Sequence, residues 1–543
     1  MASLSLVLVL PVAYLVLRVL RALSIKSPLH NLPGPPSKSL LWGNMDVLFG
    51  YDNWDFVRHL LDTYGPVASL NGFFGATLHI HDPKAVHSIY IKNADNFPRP
   101  PMAIESSKVL LGPGLLSTLG GAHRKQRKLL NPVFSIAYLR GLTPVFYEIV
   151  GRLEHALASR TQDGPRDLDM IGWMGRAALE IVGQGALGYS FDPLTADTKD
   201  EFAEAVKSFI PSTSDVTYGF AILPYVNDYV TPWMKDMFFS FWPDPAVHRM
   251  KRIIDLVDNR SRALYEEKKA AVKTGDDAAL HGVGEGKDVM SILLRENMEA
   301  TEEDKLPDME LLAQMSTFIV AGVDTTSNAM GRILDLLTAH PKVQERLRDE
   351  ILEARDRFGT EIPFDEVMAL PYLDAVCRET LRVYSPASFM MRDAATDFVL
   401  PLSSPVRGKD DTEISQLAVP KGTMIITSIH GCNTNKAIWG DDAYEWKPER
   451  WLEPLPAAVE ETHLPGIYAN QFTFSGGGYA CIGFKFSQLE MKIVISSLVA
   501  TFKFGKSDKP FFWNSAGVAY PSAKPGDRNP EMFLRVSLVT NSE

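Results

Sequence analysis

Residues 308–339, DMELLAQMSTFIVAGVDTTSNAMGRILDLLTA, have helical spacing with apolar side chains on nearly every face. A helix without a polar face has to be surrounded by protein, so this segment fixes the centre of the fold. Asp324 and Thr325 stand in its middle. A buried acid beside a hydroxyl is unfavourable unless the pair is used or hydrogen-bonded. Capping a helix break is one use for such a pair, but caps belong at helix ends and this is mid-helix.

The rest of the chain is also mostly helical in pattern. Residues 54–64, 84–91, 123–130, 142–160, 168–187, 200–210, 246–273, 341–358 and 482–503 have helical spacing, whereas strand-like runs are short: Val67–Leu70, Thr77–His81, Phe398–Leu400, Thr423–Ser428 and Phe533–Leu538. The expected class is mainly α with small peripheral β-sheets. Of the 543 residues, 45% are hydrophobic and 22% charged, which excludes a disordered or collagen-like chain. A net charge of −11 argues against a nucleic-acid partner. Three cysteines, Cys377, Cys432 and Cys481, exclude a disulfide scaffold and fit a reducing compartment. Residues 274–287 are read as a surface loop between helices, 403–416 as a polar stretch interrupting a strand-like region, and 453–466 as an irregular segment with three prolines. None separates two composition regimes, so one large body is expected after the N-terminal segment.

That segment, LSLVLVLPVAYLVL at 4–17, is short for a membrane span, but Val19 and Leu20 extend it past Arg18. No basic residue precedes it, whereas Arg18, Arg21 and Lys26 follow. This favours an uncleaved anchor over a cleaved signal peptide, with the bulk of the chain on the cytosolic side. Residues 1–23 are the anchor, 24–40 a stiff linker through Pro33-Gly34-Pro35-Pro36, and 41–543 the body. Between Ile210 and Trp242 aromatics crowd, among them Tyr225, Trp233, Phe241 and Trp242. Aromatics at this spacing usually mean a helix pair folded on the core; the alternative is a second surface dipping into the membrane.

The most informative stretch for chemistry is FTFSGGGYACIGFKFSQLEM, residues 472–491. Gly476 to Gly478 and Gly483 let the backbone pass close to a flat, bulky object. Loop amides and the start of the following helix favour a thiolate at Cys481. A single cysteine so held suits haem iron, which takes one axial thiolate and its other ligands from a macrocycle. A buried structural cysteine in a glycine-rich turn is the competing reading.

Further upstream, Glu379 and Arg382 lie at i, i+3 on one helical face, with Pro386 following. Glu345 and Arg348 share that spacing and read as a solvated face. In GGAHRKQRK at 120–128, His123 and Arg127 are one helical turn apart, while Arg124, Lys125 and Lys128 face outward, by default as a solvated basic face and alternatively as a docking patch for an acidic electron-transfer partner.

Taken together and in order, these motifs resemble the cytochrome P-450 family of haem-thiolate monooxygenases, from about residue 30 to the C-terminus, and phrases such as LNPVFS at 130–135 look most like fungal members. The family's cysteine loop is matched by Phe474, Gly477, Cys481 and Gly483, with a departure at Tyr479, where the family usually has an arginine or histidine facing a haem propionate. The resemblance implies a helical prism enclosing haem b, with Cys481 as the iron ligand. It implies propionate contacts from His123, Arg127 and Arg392, which would balance both propionates without position 479. Arg450 would complete a buried network with Glu379 and Arg382. Over the distal face, Gly322 would make room for dioxygen, Asp324 would relay protons and Thr325 would help protonate the reduced oxygen. Pocket candidates are Phe318 and Ala321, the loop from Met102 to Leu116, Ala387 to Met390 including Phe389, and the turn near Gly517 and Val518; their apolar character suggests a lipophilic substrate.

The implied activity is insertion of one oxygen atom from dioxygen into a terpenoid, steroid, fatty acid or polyketide, as in secondary metabolism. Electrons would come from NADPH through a separate flavoprotein reductase. Location would be the endoplasmic reticulum membrane. A haem-thiolate isomerase or dehydratase working without dioxygen, and a non-catalytic haem sensor, are the rival readings.

Overall fold

The computed structural model describes residues 27–39, 42–72, 75–195, 200–220, 223–226, 231–274, 288–515 and 517–539. The expected anchor at 1–23 lies outside them, as do residues 275–287 of the first expected loop. Among the described residues no single helix is long and apolar enough to cross a membrane. The helices in Gly120–Phe134 and Ile136–Thr161 reach that length and composition only together, bent by 55°.

The chain divides into two compact units. Each is assembled from three separated stretches, so no linker or change in composition marks the division. The first takes Met1–Pro100, Ser388–Ala443 and Pro456–Ala480; the second takes Pro101–Ala387, Tyr444–Leu455 and Cys481–Glu543.

The first unit is built on a four-stranded sheet. Val67–Asn71 and Ala76–Ile80 form an antiparallel hairpin, Met424–Ser428 runs parallel to the second of these, and Phe389–Asp393 closes the sheet antiparallel. Leu78, Ile80, Ile425 and Ile426 are buried, which is why these runs read as continuous rather than alternating. Residues 403–416, read as an interruption, instead belong to a second hairpin, Phe398–Arg407 against Glu413–Val419, with a bulge between Pro401 and Val406. Within 453–466, Ala457–Thr462 is a short helix after Pro456.

The second unit is helical. The central helix Asp308–Ala339 starts after Pro307 with Asp308 and Glu310 in its first turn, where acids complement the helix dipole, and it ends at His340, before Pro341. It packs against Met170–Val182 and Phe484–Thr501, and the latter also packs against Ile136–Thr161. Arg166–Asp169, Phe533–Leu538 and Phe502–Lys506 form a small antiparallel sheet. Residues 166–169, partly read as helix, thus form a strand. Met102–Leu116, read as a loop, is largely helix: Pro101–Leu111 begins on Pro101, whose fixed φ suits a first helical turn.

The Glu345/Arg348 pair is not a solvated face. Arg348 is buried and donates to the carbonyls of Val499 (2.9 Å) and Phe502 (2.9 Å), satisfying oxygens where the Phe484–Thr501 helix ends. Sequence spacing pairs it with Glu345, but burial and hydrogen bonding turn it to the backbone.

Candidate active site

In the second unit the central helix runs without a break through Asp324 and Thr325, so the pair caps nothing. Val320, Val323, Asp324 and Thr326 are buried, yet Ala321 is exposed and Thr325 only half-buried. Ala321 and Thr325 lie one turn apart, so a largely enclosed helix opens along one stripe here, beside the buried Phe318. Phe318 holds Phe134 edge-on at 5.6 Å. The Thr325 hydroxyl donates to the Ala321 carbonyl (2.7 Å), and the Asn328 amide to that of Asp324 (2.6 Å). Such side-chain bonds compete with the helix's own ladder. A methyl on Gly322 would press on Val182 Cγ2 at 2.8 Å, so this glycine lets the central helix approach Met170–Val182 closely.

Asp324 Oδ2 is buried with no hydrogen-bond partner among the described residues. Burial pushes its carboxyl well above the usual range, with only the backbone at Ile210 pulling the other way. The same residue lines a cavity of about 270 Å³, bounded also by Asn328, Arg176, Asp192, Glu204 and Lys207. Arg176 and Asp192 pair there through two bonds (2.5 and 2.9 Å). This buried carboxyl is thus set between a polar cavity and a hydroxyl one residue on.

Cys481 is exposed at its surface, while Cys377 and Cys432 are buried. Protein atoms crowd the inner side of Cys481, and that desolvation raises its thiol; the Gly483 amide and the Arg127 cation oppose it. Arg127 is itself lowered by burial and raised by Cys481. His123 is buried on the same helix, Gly120–Leu130. The outward basic face is partly tied down: Lys125 donates to the Lys305 carbonyl (2.8 Å) and Lys128 pairs with Asp304 (3.2 Å), while Arg124 is exposed.

Glu379 and Arg382 are fully buried in a bidentate pair (2.8 and 2.7 Å). Arg450 joins at 3.4 Å. Two members were not legible in the motif: the Trp451 indole N–H (2.9 Å) and the Lys447 amide (3.0 Å) both donate to Glu379. Ala387 and Val518 meet in a β-bridge.

In the first unit, the loop before Cys481 is seated on residues 90–91. Gly477 has φ +68°, and any Cβ there would collide with the Tyr90 carbonyl. Phe474 packs edge-on against Tyr468 at 5.6 Å. Phe389 and Met390 lie on the strand Phe389–Asp393 with Arg392. Arg392 is buried, lies over the Tyr90 ring at 4.4 Å, and has Nη2 without a partner among the described residues.

These features define a mainly helical chain with one exposed cysteine after a glycine-rich loop, an acid–hydroxyl pair within its central helix, and buried cations. The family comparison agrees. Residues 33–524 match the model of the family described as cytochrome P450. The chain is 47% identical over 543 residues to a ganoderic acid synthetase of Ganoderma lucidum, covering 99% of each. It is 47% identical to cytochrome P450 monooxygenase 91 of Postia placenta over 99% of each chain, and 44% identical to monooxygenase 81 of the same fungus over 96% of this chain and 95% of that one. The chain belongs to the cytochrome P450 family and is an oxidoreductase of the monooxygenase type.

The family implies a haem-thiolate cofactor. The residues fit one: in the second unit Cys481 is the exposed cysteine, and in the first Arg392 Nη2 is a buried donor with no partner among the described residues, suited to an anion.

Proposed function

We propose that this chain inserts one oxygen atom of dioxygen into a lipophilic substrate of the terpenoid, steroid, fatty acid or polyketide kind. Electrons come from NADPH through a separate flavoprotein reductase. Haem b, when bound through Cys481, supplies the oxygen-activating chemistry. The chain's own residues do the rest. Arg127, with His123 on the same helix, and Arg392 on its own strand hold the propionates. In the second unit Phe318, Ala321, Ala387 and Val518, and in the first Phe389 and Met390, are the apolar side chains that orient substrate and exclude water. Asp324 passes a proton from the polar cavity toward the Thr325 hydroxyl.

The observation that carries this reading is the buried Asp324, whose Oδ2 has no hydrogen-bond partner among the described residues, next to a hydroxyl on the open stripe of the central helix. A sensor without turnover has no use for a proton supply, and dependence on NADPH separates oxygen insertion from isomerisation or dehydration. The expected results are a carbon monoxide difference spectrum typical of thiolate ligation and NADPH-dependent turnover with a reductase. In spectral titrations, apolar compounds should bind. A response to small polar acids alone, or turnover without NADPH, would overturn the proposal.

Residues 1–23 anchor the enzyme in the endoplasmic reticulum membrane, with the catalytic body cytosolic. A second apolar surface supports this attachment: Trp233 is 65% and Phe241 81% exposed on the helix Pro232–Phe241, and Tyr225 is 65% exposed nearby. Aromatics this exposed are unfavourable in water but comfortable at a lipid interface. In a chain lacking residues 1–23, replacing Trp233 and Phe241 together by serine is expected to weaken binding to lipid vesicles by about a hundredfold. Equal partitioning of the two proteins in vesicle sedimentation would remove this surface from the membrane.

A further inference from the structure

Arg332 is a buried cation on the central helix, flanked by the buried Met330, Ile333 and Leu334. Two aromatic rings enclose its guanidinium: Trp513, at 3.6 Å from the ring centroid, and Tyr384, at 4.5 Å. Asp335, one turn on, lies 3.7 Å from Nη1 and accepts the Trp513 indole N–H (2.9 Å). Burial lowers Arg332 to about 10, while Asp335 and Tyr384 work in the other direction, so it stays charged at neutral pH. A planar cation between two rings is attracted to both faces, and the loss of water strengthens that attraction.

The two rings belong to different stretches of the second unit. Tyr384 follows the helix Pro371–Val383 and stands three residues before Ala387. Trp513 is on the strand Phe512–Asn514, five residues before Val518. That strand pairs with Tyr520–Ser522, and Asn514 Nδ2 donates to Ser522 Oγ (2.7 Å) across it. Beyond the rings the same two stretches meet: Ala387 and Val518 form the β-bridge, and the Ala519 amide donates to the Pro386 carbonyl (2.8 Å). Both sides of the bridge are thus tied to one side chain of the central helix. An isolated two-stranded pairing is marginal in water, so the stacked cation decides how readily this one opens.

We propose that Arg332 is a positioning residue for the substrate pocket: stacked between Tyr384 and Trp513, it fixes Ala387 and Val518 relative to the central helix and so sets how tightly a bulky apolar ligand is held. The inference deepens the proposed function and rests on its apolar pocket. Arg332 acts through the two rings. A pocket wall already held in place spares the ligand the cost of ordering it.

The test uses the full-length holoenzyme and two azoles, imidazole and the bulky, apolar clotrimazole. Arg332→Gln is expected to weaken clotrimazole about tenfold in spectral titrations and to speed amide exchange around Ala519 by about as much, the range for losing two stacking contacts. Imidazole affinity and the carbon monoxide spectrum should stay unchanged, which a general loss of structure would not spare. Trp513→Leu should reproduce these effects, and the double variant should add little to either, because both changes remove the same stack. Trp513→Leu leaves the buried cation in place, so it carries the same prediction if Arg332→Gln takes up no haem. Unchanged clotrimazole binding and exchange, equal weakening of both azoles, or additive effects in the double variant overturn the inference. A wild-type protein that binds clotrimazole no more tightly than imidazole overturns the apolar-pocket reading instead, and the exchange rates then still decide the stack.

Discussion

Cys481→Ser is expected to abolish both the thiolate-type carbon monoxide spectrum and turnover, whereas Cys377→Ser and Cys432→Ser leave both intact. The three cysteines differ in surroundings rather than in kind. Burial pushes the Cys377 thiol up to about 12 and raises Cys432 as well, and both are enclosed. Burial also raises Cys481, but there the Gly483 amide and the Arg127 cation favour the anion, and the sulfur has an open side. A serine hydroxyl in that loop ionises far less readily, and its hard oxygen is a poor substitute for a soft thiolate. Absorbance spectra of the purified variants, reduced and with carbon monoxide, decide the matter together with haem content per chain. Retention of spectrum and turnover in Cys481→Ser would remove the basis of the proposed function.

The geometry of the candidate site was legible in the sequence where it is local. The cysteine loop, the acid–hydroxyl pair and the Glu379/Arg382 spacing each lie within a turn or a loop, and backbone geometry alone brings their members together. What was not legible depends on distant backbone pairing. Arg332 stacks on both Tyr384 and Trp513 because residues 386–387 pair with residues 518–519. Trp451 and Lys447 join Glu379 through a short turn, Pro448–Trp451, whose docking has no periodic signature. Arg348 shows the converse: its spacing from Glu345 satisfies a motif, yet its partners are carbonyls at the far end of another helix. The division into two units escaped for the same reason, since each is made of three stretches of ordinary composition. The helix Pro101–Leu111 was read as a loop because its apolar residues do not gather on one face strongly enough to show a period.

The Glu379 network makes the largest prediction for stability. Glu379 and Arg382 are both 0% exposed, so neither charge can turn to water when its partner is removed. Removing one member of such a pair costs about 3–5 kcal/mol, a large part of the 5–15 kcal/mol that holds a typical domain together. The two truncations are not equivalent. In Arg382→Ala, Glu379 keeps the Trp451 indole, the Lys447 amide and the Arg450 cation. In Glu379→Ala, Arg382 keeps the Glu445 carbonyl (3.1 Å), and Arg450 loses its carboxylate as well. Glu379→Ala is therefore the more damaging change, with two buried cations left facing each other. Both variants should be purified with little haem and unfold at lower denaturant concentration, Glu379→Ala lowest. Normal haem content in both would show that this network does not support the cofactor. Equal loss in the two would show that Trp451 and Lys447 do not share the charge of Glu379.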